Sequence, residues 1–393
     1  MRIELPFLLA NPDKALDTLL PLIKRATGVS RVSWCFTHNK HCEWPQAKRH
    51  VCTFSCTSHS TQGSRKRSAD HTMVYIGLWA LQRAVVEEPI LCLENVPGIT
   101  YLLQLLLGHL YNFDDNTTYD IQELDWPVAR NRYYCIAVHN SYGMRCPLYT
   151  PLSDFVQQFF VGLRNCWQML FYMHLEDASS MTVIDDELRR DLQWAKDRPS
   201  SLANLPDAMN DFVGATMSPD NDSPFLAGIN HMESLHLSGY RELWPNHCYS
   251  LMQNPWDHPS KSHGRSLQCI IKSTGLYWAD QSALQAGDAK TQSYHTRSLS
   301  RHMMGSEFLT GQGFRVRPQD TTHLGYTQSS FNIPCSARCG QHVKSQAGNA
   351  VNINAMGLLM LASYCHYGQR TVADQFDDPF LKAFSMAIAQ HRR

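Results

Sequence analysis

Apolar positions recur at helical spacing in some stretches of the chain and run unbroken in others. Asn11-Pro12-Asp13 is a helix start, Leu16, Leu19, Leu20 and Ile23 form its stripe, and Gly28 closes it. Val51-Cys52-Thr53-Phe54 reads as a short buried strand running into a polar loop, Ser55 to Gly63, that carries Cys56. Thr72 to Val86 has helical spacing through Met73, Ile76, Leu78, Ala80 and Leu81, and Pro89 to Leu93 is a buried strand ending on Glu94. A further helix is predicted over residues 99–111, closed by Asn112. Tyr119 to Trp126 and Tyr133 to Val138 then read as strands flanking Arg130 and Arg132. This alternation predicts an α/β protein with a parallel sheet and with its chemistry at the carboxyl ends of the strands.

The pattern changes near residue 151. Phe155, Phe159, Phe160, Leu163, Trp167, Leu170 and Phe171 predict one long aromatic helix from Leu152 to Leu175. Residues 176–222 are acidic and interrupted by Pro199, Pro206 and Pro219, as in an exposed insertion. Leu267-Gln268-Cys269-Ile270-Ile271 and Leu276-Tyr277-Trp278 flank Ser273-Thr274-Gly275 and read as a hairpin. Around it Arg241, Lys261, Arg265, Lys272, Lys290, Arg297 and Arg301 give a modest basic bias, equally readable as a solvated surface. Helical spacing returns with Gly348-Asn349-Ala350-Val351, predicted to open a helix through Leu358, Leu359, Leu361 and Ala362, and again over Asp374 to Arg393.

Composition narrows the class. The 393 residues, 43% hydrophobic and 10% aromatic, suit a globular protein with a proper core. Lys+Arg and Asp+Glu are 35 each, so no global charge draws the chain to nucleic acid or an anionic membrane. Thirteen cysteines without framework spacing suggest reduced thiols. Glu4 and Pro6 interrupt the start as a signal peptide, and no apolar run reaches spanning length. The expectation is a nuclear or cytoplasmic protein without a membrane partner.

Several polar groups are candidates for chemistry. Cys35, His38, His41, Cys42, His50 and Cys52 crowd one window, but the spacing fits none of the familiar zinc patterns, and they read as unligated, with no metal site predicted. Cys56 sits ahead of Arg65-Lys66-Arg67, a setting that favours the thiolate; the plain alternative is a buried structural thiol. Glu94, at the end of an apolar strand, is either a turn residue or an acid held in a pocket. Neighbouring strand ends in a parallel sheet would bring Cys56 and Glu94 to one crevice.

A Cys loop, Glu94-Asn95-Val96 at a strand end and Arg130-x-Arg132, in that order, resemble the cytosine-C5 methyltransferases that act on nucleic acid. The similarity continues through Arg297-Ser298-Leu299-Ser300-Arg301, Glu307 and Gln312-Gly313-Phe314 to Gly348-Asn349-Ala350-Val351. It implies a Rossmann-like, S-adenosylmethionine-dependent methyltransferase sheet with a smaller, irregular target-recognition domain. It further implies Cys56 as the nucleophile on C6 of a flipped cytosine, Glu94 as the acid on N3, and Arg132, with Arg130 beside it, on the ring oxygen. Asn349 and Val351 become contacts of S-adenosylmethionine, and DNA the partner.

The implied layout is a first catalytic part over residues 1–150, a target-recognition domain over 151–296 with the insertion at 176–222, and a return to the catalytic domain over 297–393. Ser55 and Val128 depart from the family's proline and glutamine. Gly28 is the only glycine before Gly63, so the chain looks like a member shorn of the family's first βαβ unit with its glycine-rich cofactor turn. The activity implied is DNA cytosine-5 methylation; the alternative is a degenerate or truncated homologue that binds nucleic acid or a partner without turnover. A transfer-RNA substrate is disfavoured, because Cys35-Phe36-Thr37 lies upstream of the nucleophile instead of inside the recognition domain.

Overall fold

The computed structural model describes residues 5–26, 31–35, 37–44, 46–54, 71–146, 148–171, 231–257, 259–271, 277–285, 300–314, 343 and 346–369. Contacts divide the chain into two units: Met1–Tyr119 with Asn131–Phe160 and Asn354–Arg393, and Asp120–Arg130 with Val161–Ile353. Among the described residues no helix is long and apolar enough to cross a membrane.

The first unit is built on a four-stranded sheet, following helices α1 (Leu5–Ala10) and α2 (Ala15–Lys24) and a separate hairpin of β1 (Val32–Cys35) and β2 (Lys40–Glu43). Its strands are β3 (His50–Thr53), β4 (Ile90–Asn95), β5 (Tyr111–Asp120) and β6 (Asn131–His139), in the spatial order β3-β4-β6-β5. Every residue of β4 is buried, as its unbroken apolar run requires of a central strand covered on both faces. β3 pairs with β4 in parallel, whereas β6 pairs with β4 antiparallel. The α/β class is as expected, but the sheet is mixed and not wholly parallel.

Alternation along β4 decides what each face sees. Leu91 and Leu93 point into a core shared with α2, α3 (His71–Val86) and α4 (Thr100–Leu107), including Leu19, Ile23, Ile76, Ala80 and Leu103. α3 crosses α2 closely at Gly77, where an added Cβ would stand 2.5 Å from the Leu19 side chain. Cys92 and Glu94 point to the opposite face. There the helix Ile353–His366 supplies Ser363 beside Cys92, and Arg49 donates to the carbonyls of Ser363 (3.1 Å) and Tyr367 (2.7 Å).

Several predicted elements are corrected. The helix expected over residues 99–111 stops at Leu107, and Tyr111 already begins β5. β5 is hard to recognise because it buries an acid: Asp115 accepts from the Leu152 N–H (2.8 Å) and from the Tyr367 hydroxyl. The strand expected over Tyr119 to Trp126 becomes the end of β5 and a 3-10 turn, Ile121–Leu124, capped by Asp120, which accepts from Gln122 N–H at 3.0 Å.

The long aromatic helix is α5, Leu152–Gln157, and no more. Farther on, Gly162 takes φ +70°, and the Asp125 carboxylate accepts the backbone N–H groups of Arg164 and of Asn165 (2.9 Å), amides a continuous helix would have used itself. The Phe–Trp spacing that imitates one helix is thus split between α5 and the 3-10 turn Trp167–Leu170.

The second unit holds a three-stranded sheet in which Tyr277–Ala279 pairs antiparallel with both Cys248–Ser250 and Arg301–His302. The hairpin predicted around Ser273-Thr274-Gly275 is therefore not what Tyr277 and Trp278 pair into, and Leu267 bridges in parallel to Val128. Asp280 anchors this sheet by accepting from Arg241 (2.6 Å), Tyr249 (3.0 Å) and Trp278 (3.0 Å). The helix expected to open at Gly348 begins at Ile353, whose N–H donates to the Gln312 carbonyl at 3.0 Å. The tail helix expected over Asp374 to Arg393 lies outside the described residues, as does the insertion at 176–222.

Candidate functional site

One edge of the first unit's sheet gathers the carboxyl ends of β3 and β4 and the amino end of β6. Glu94 stands at that edge, opposite Thr53 on one side and Tyr134 on the other. Arg132 lies two residues before Tyr134, so it projects from the same face as Glu94. Its Nε is 3.5 Å from Glu94 Oε1, with side chains 12% and 6% exposed respectively. The sheet therefore brings two of the predicted residues together. Tyr134, fully buried, stacks on Tyr119 with ring centroids 4.3 Å apart, and the Tyr119 hydroxyl donates to the Ala355 carbonyl at 3.3 Å. The ion pair thus sits at the margin of an aromatic floor.

Asn95 locks the strand end. Its Nδ2 donates to the Phe54 carbonyl at 3.2 Å while its Oδ1 accepts from the Val96 N–H at 2.8 Å. The first bond ties the end of β4 to the last described residue before the Cys loop, and the second fixes the orientation of the amide. Cys56 itself lies outside the described residues.

Arg130 and Arg132 have different surroundings although one residue separates them. Arg130 belongs to the second unit and is 5% exposed. Its guanidinium donates to the carbonyls of Ile270 (3.1 Å) and Ala350 (2.7 Å), and its backbone N–H donates to Asp120 Oδ1 (2.9 Å). Asn349 is exposed and Val351 half-buried, on either side of the Ala350 carbonyl that Arg130 holds. Both also belong to the second unit.

Sequence reasoning missed a buried polar cluster behind β3. Arg83 pairs with Glu88 and faces His50 Nδ1 at 3.1 Å, while Trp79 Nε1 donates to His50 Nε2 at 3.1 Å. Arg83 and Glu88 are five residues apart, which is not helical pairing spacing. They meet because Glu87, at φ +55°, turns the chain back after α3. Burial, then the Arg83 charge, push the His50 imidazole down to about 4. Burial pushes the thiols of Cys52 and Cys135 up to about 12 and that of Cys92 up to about 11. These three are protonated packing groups at neutral pH, not nucleophiles.

No family model matches the chain, and no curated protein matches it. Among solved structures it is similar to the S. pombe Dnmt2 methyltransferase, with 12% identity over 90% of this chain and 95% of that one and a TM-score of 0.38. It is also similar to the Entamoeba histolytica methyltransferase EhMeth, with 10% identity over 81% and 77% of the two chains and a TM-score of 0.41. For a Spodoptera frugiperda DNMT2 the figures are 12% identity, 80% and 78% coverage, and a TM-score of 0.36.

Proposed function

We propose that the chain is a cytosine-C5 methyltransferase acting on DNA, with Glu94 and Arg132 holding the target pyrimidine and Cys56 attacking it. The observation that carries this reading is the Glu94–Arg132 pair at 3.5 Å on a strand edge that Asn95 ties to the start of the Cys loop. A neutral cytosine presents an acceptor at N3, a donor at the 4-amino group and an acceptor at O2. Arg132 donates to O2. In this reading Glu94, 5% exposed at the strand end, acts in its neutral acid form. The acid then donates to N3 and accepts from the 4-amino group. Pulling electron density from the ring prepares C6 for the Cys56 thiolate: the S–C6 bond forms and the pair moves to C5. A duplex cytosine must leave the stack to reach this edge.

When bound, S-adenosylmethionine supplies the methyl group taken up at C5. Asn349 and Val351 are the residues proposed beside it. One is exposed and the other half-buried. These residues do not make a cofactor site by themselves, so the steps derived from this chain end with Cys56 on C6. The second reading is a homologue that binds nucleic acid or a partner without turnover.

Duplex DNA carrying 5-fluorocytosine separates the two. Its fluorine cannot leave as a proton does, so methyl transfer traps the protein on the base. With S-adenosylmethionine present, a denaturation-resistant complex that Cys56→Ser abolishes is expected. Absence of that complex, together with no calorimetric heat from S-adenosylmethionine or its demethylated product, leaves the second reading.

A further inference from the structure

The hairpin β1–β2 forms a two-stranded sheet of its own, and β2 is mostly exposed. A two-stranded hairpin in water is marginally stable at best, so such an element calls for something to hold it. Its register pairs Ser33 with Cys42, Trp34 with His41 and Cys35 with Lys40. Cross-strand partners and alternate residues share a face, so Cys35 and Cys42 lie on one side and His41 on the other. His38 sits in the connecting turn next to Asn39, which takes φ +50°.

The donor atoms converge. His38 Nδ1 is 3.5 Å from Cys35 Sγ and 3.5 Å from Cys42 Sγ, and all three ligand atoms lie within 4.8 Å of one another. Two ligands of one tetrahedral zinc, with Zn–S about 2.3 Å and Zn–N about 2.0 Å, stand about 3.5 Å apart. Hydrogen bonding explains the cluster less well, because one imidazole nitrogen offers either one lone pair or one N–H, and two thiols meet at it.

A disulfide explains it less well too. Cys35 and Cys42 are diagonal in the ladder, where Cα atoms are typically about 7–8 Å apart, beyond the roughly 4.4–6.8 Å a disulfide prefers. A bridging metal spans that width.

We propose that Cys35, His38 and Cys42 bind a zinc ion that staples the β1–β2 hairpin. The fourth tetrahedral position is left to water or to an exogenous ligand, because the register turns His41 away. Two thiolates balance the charge of the ion, and soft sulfur donors with one imidazole select zinc over magnesium or calcium. Sequence spacing alone left the six Cys and His residues of this window unligated; the strand register selects three of them.

The test uses the full chain, reduced and freed of metal, titrated with Co²⁺ and then Zn²⁺. Saturation at one equivalent is expected, with thiolate-to-cobalt charge-transfer bands and intense visible bands of tetrahedral cobalt, both bleached by zinc. Cys35→Ser, Cys42→Ser and His38→Asn should each weaken zinc binding by roughly tenfold or more, with far-ultraviolet circular dichroism confirming that they fold. His41→Asn and Cys52→Ser should bind as the parent does. Cobalt spectra of a six-coordinate oxygen site, or spectra unchanged by Cys35→Ser and Cys42→Ser, would overturn the proposal. So would a Cys35–Cys42 disulfide in metal-free protein purified without reductant, combined with no zinc uptake after reduction.

Discussion

Both units bury arginine–carboxylate pairs, and two of these, one from each unit, are built differently. In the second unit Arg301 meets Glu307 in a fork, Nη1 to Oε2 at 2.8 Å and Nη2 to Oε1 at 2.7 Å, with side chains 1% and 0% exposed. Glu307 also accepts from the Met304 N–H at 2.8 Å, capping the helix Gly305–Gly311, and the guanidinium lies 5.2 Å from the Phe171 ring centre. In the first unit Arg132 approaches Glu94 through Nε at 3.5 Å, with Arg132 12% exposed at the margin of the sheet. A fork of charge-assisted bonds with no exposure is a strut. A longer contact at an accessible edge can be exchanged for contacts to a ligand. Burying an arginine–carboxylate pair therefore does not by itself mark a site; its geometry and its access do.

Breaking the strut should have the largest effect. Glu307→Ala strands a buried guanidinium and is expected to cost about 3–5 kcal/mol in urea unfolding; Arg301→Met with Glu307→Leu should recover much of that. A cost of Glu307→Ala within experimental error of zero would remove the contrast. Glu94→Gln should barely change the urea midpoint, yet it should slow trapping on 5-fluorocytosine DNA by about a hundredfold or more. Equal loss in stability and trapping would make Glu94 a second strut. Arg130→Met, which gives up two carbonyl contacts, should destabilise by about 1–3 kcal/mol. A trapping defect larger than its loss of folded protein would put Arg130 back beside the pyrimidine.

The smallest effect expected is on pH dependence. Burial holds His139 down at about 4, as burial and Arg83 hold His50. Between about 4 and the ordinary histidine value of about 6.5, the unfolded chain binds protons that the folded one refuses. Stability therefore rises with pH through that window, is complete above it, and falls as the medium is acidified toward pH 4. His50→Gln should flatten part of the Tm-against-pH slope, and an unchanged slope would mean that His50 protonates freely in the fold.

What the sequence revealed follows from where the information resides. β4 and its terminal Glu94 were legible because a strand buried on both faces announces itself as Ile90-Leu91-Cys92-Leu93. β5 was not, because the partners that let Asp115 sit inside include Leu152 and Tyr367, 37 and 252 residues away in the chain. The false helix beyond Gln157 has the same origin: Asp125 reaches 40 residues ahead to take an amide at Asn165. At the candidate edge, motif order pointed to Glu94 and to Arg132 as the ring-oxygen contact, but it set Arg130 beside Arg132, whereas Arg130 holds the carbonyls of Ile270 and Ala350. Local pattern encodes periodicity; partners distant in the chain decide which polar groups are satisfied inside.

Arg49 gives the first unit a late closing step. It stands at the start of β3, yet the carbonyls it holds belong to residues 314 and 318 positions farther along. A ribosome must therefore add 314 residues after Arg49 before Ser363, in the helix that covers one face of the central sheet, exists. Until then the nascent protein carries Cys92 and Tyr134 on an open apolar surface, the kind of surface that chaperones bind. Stop codons placed just ahead of Ile353 should consequently yield an aggregating product, however sound the segment between the two halves of that sheet's cover.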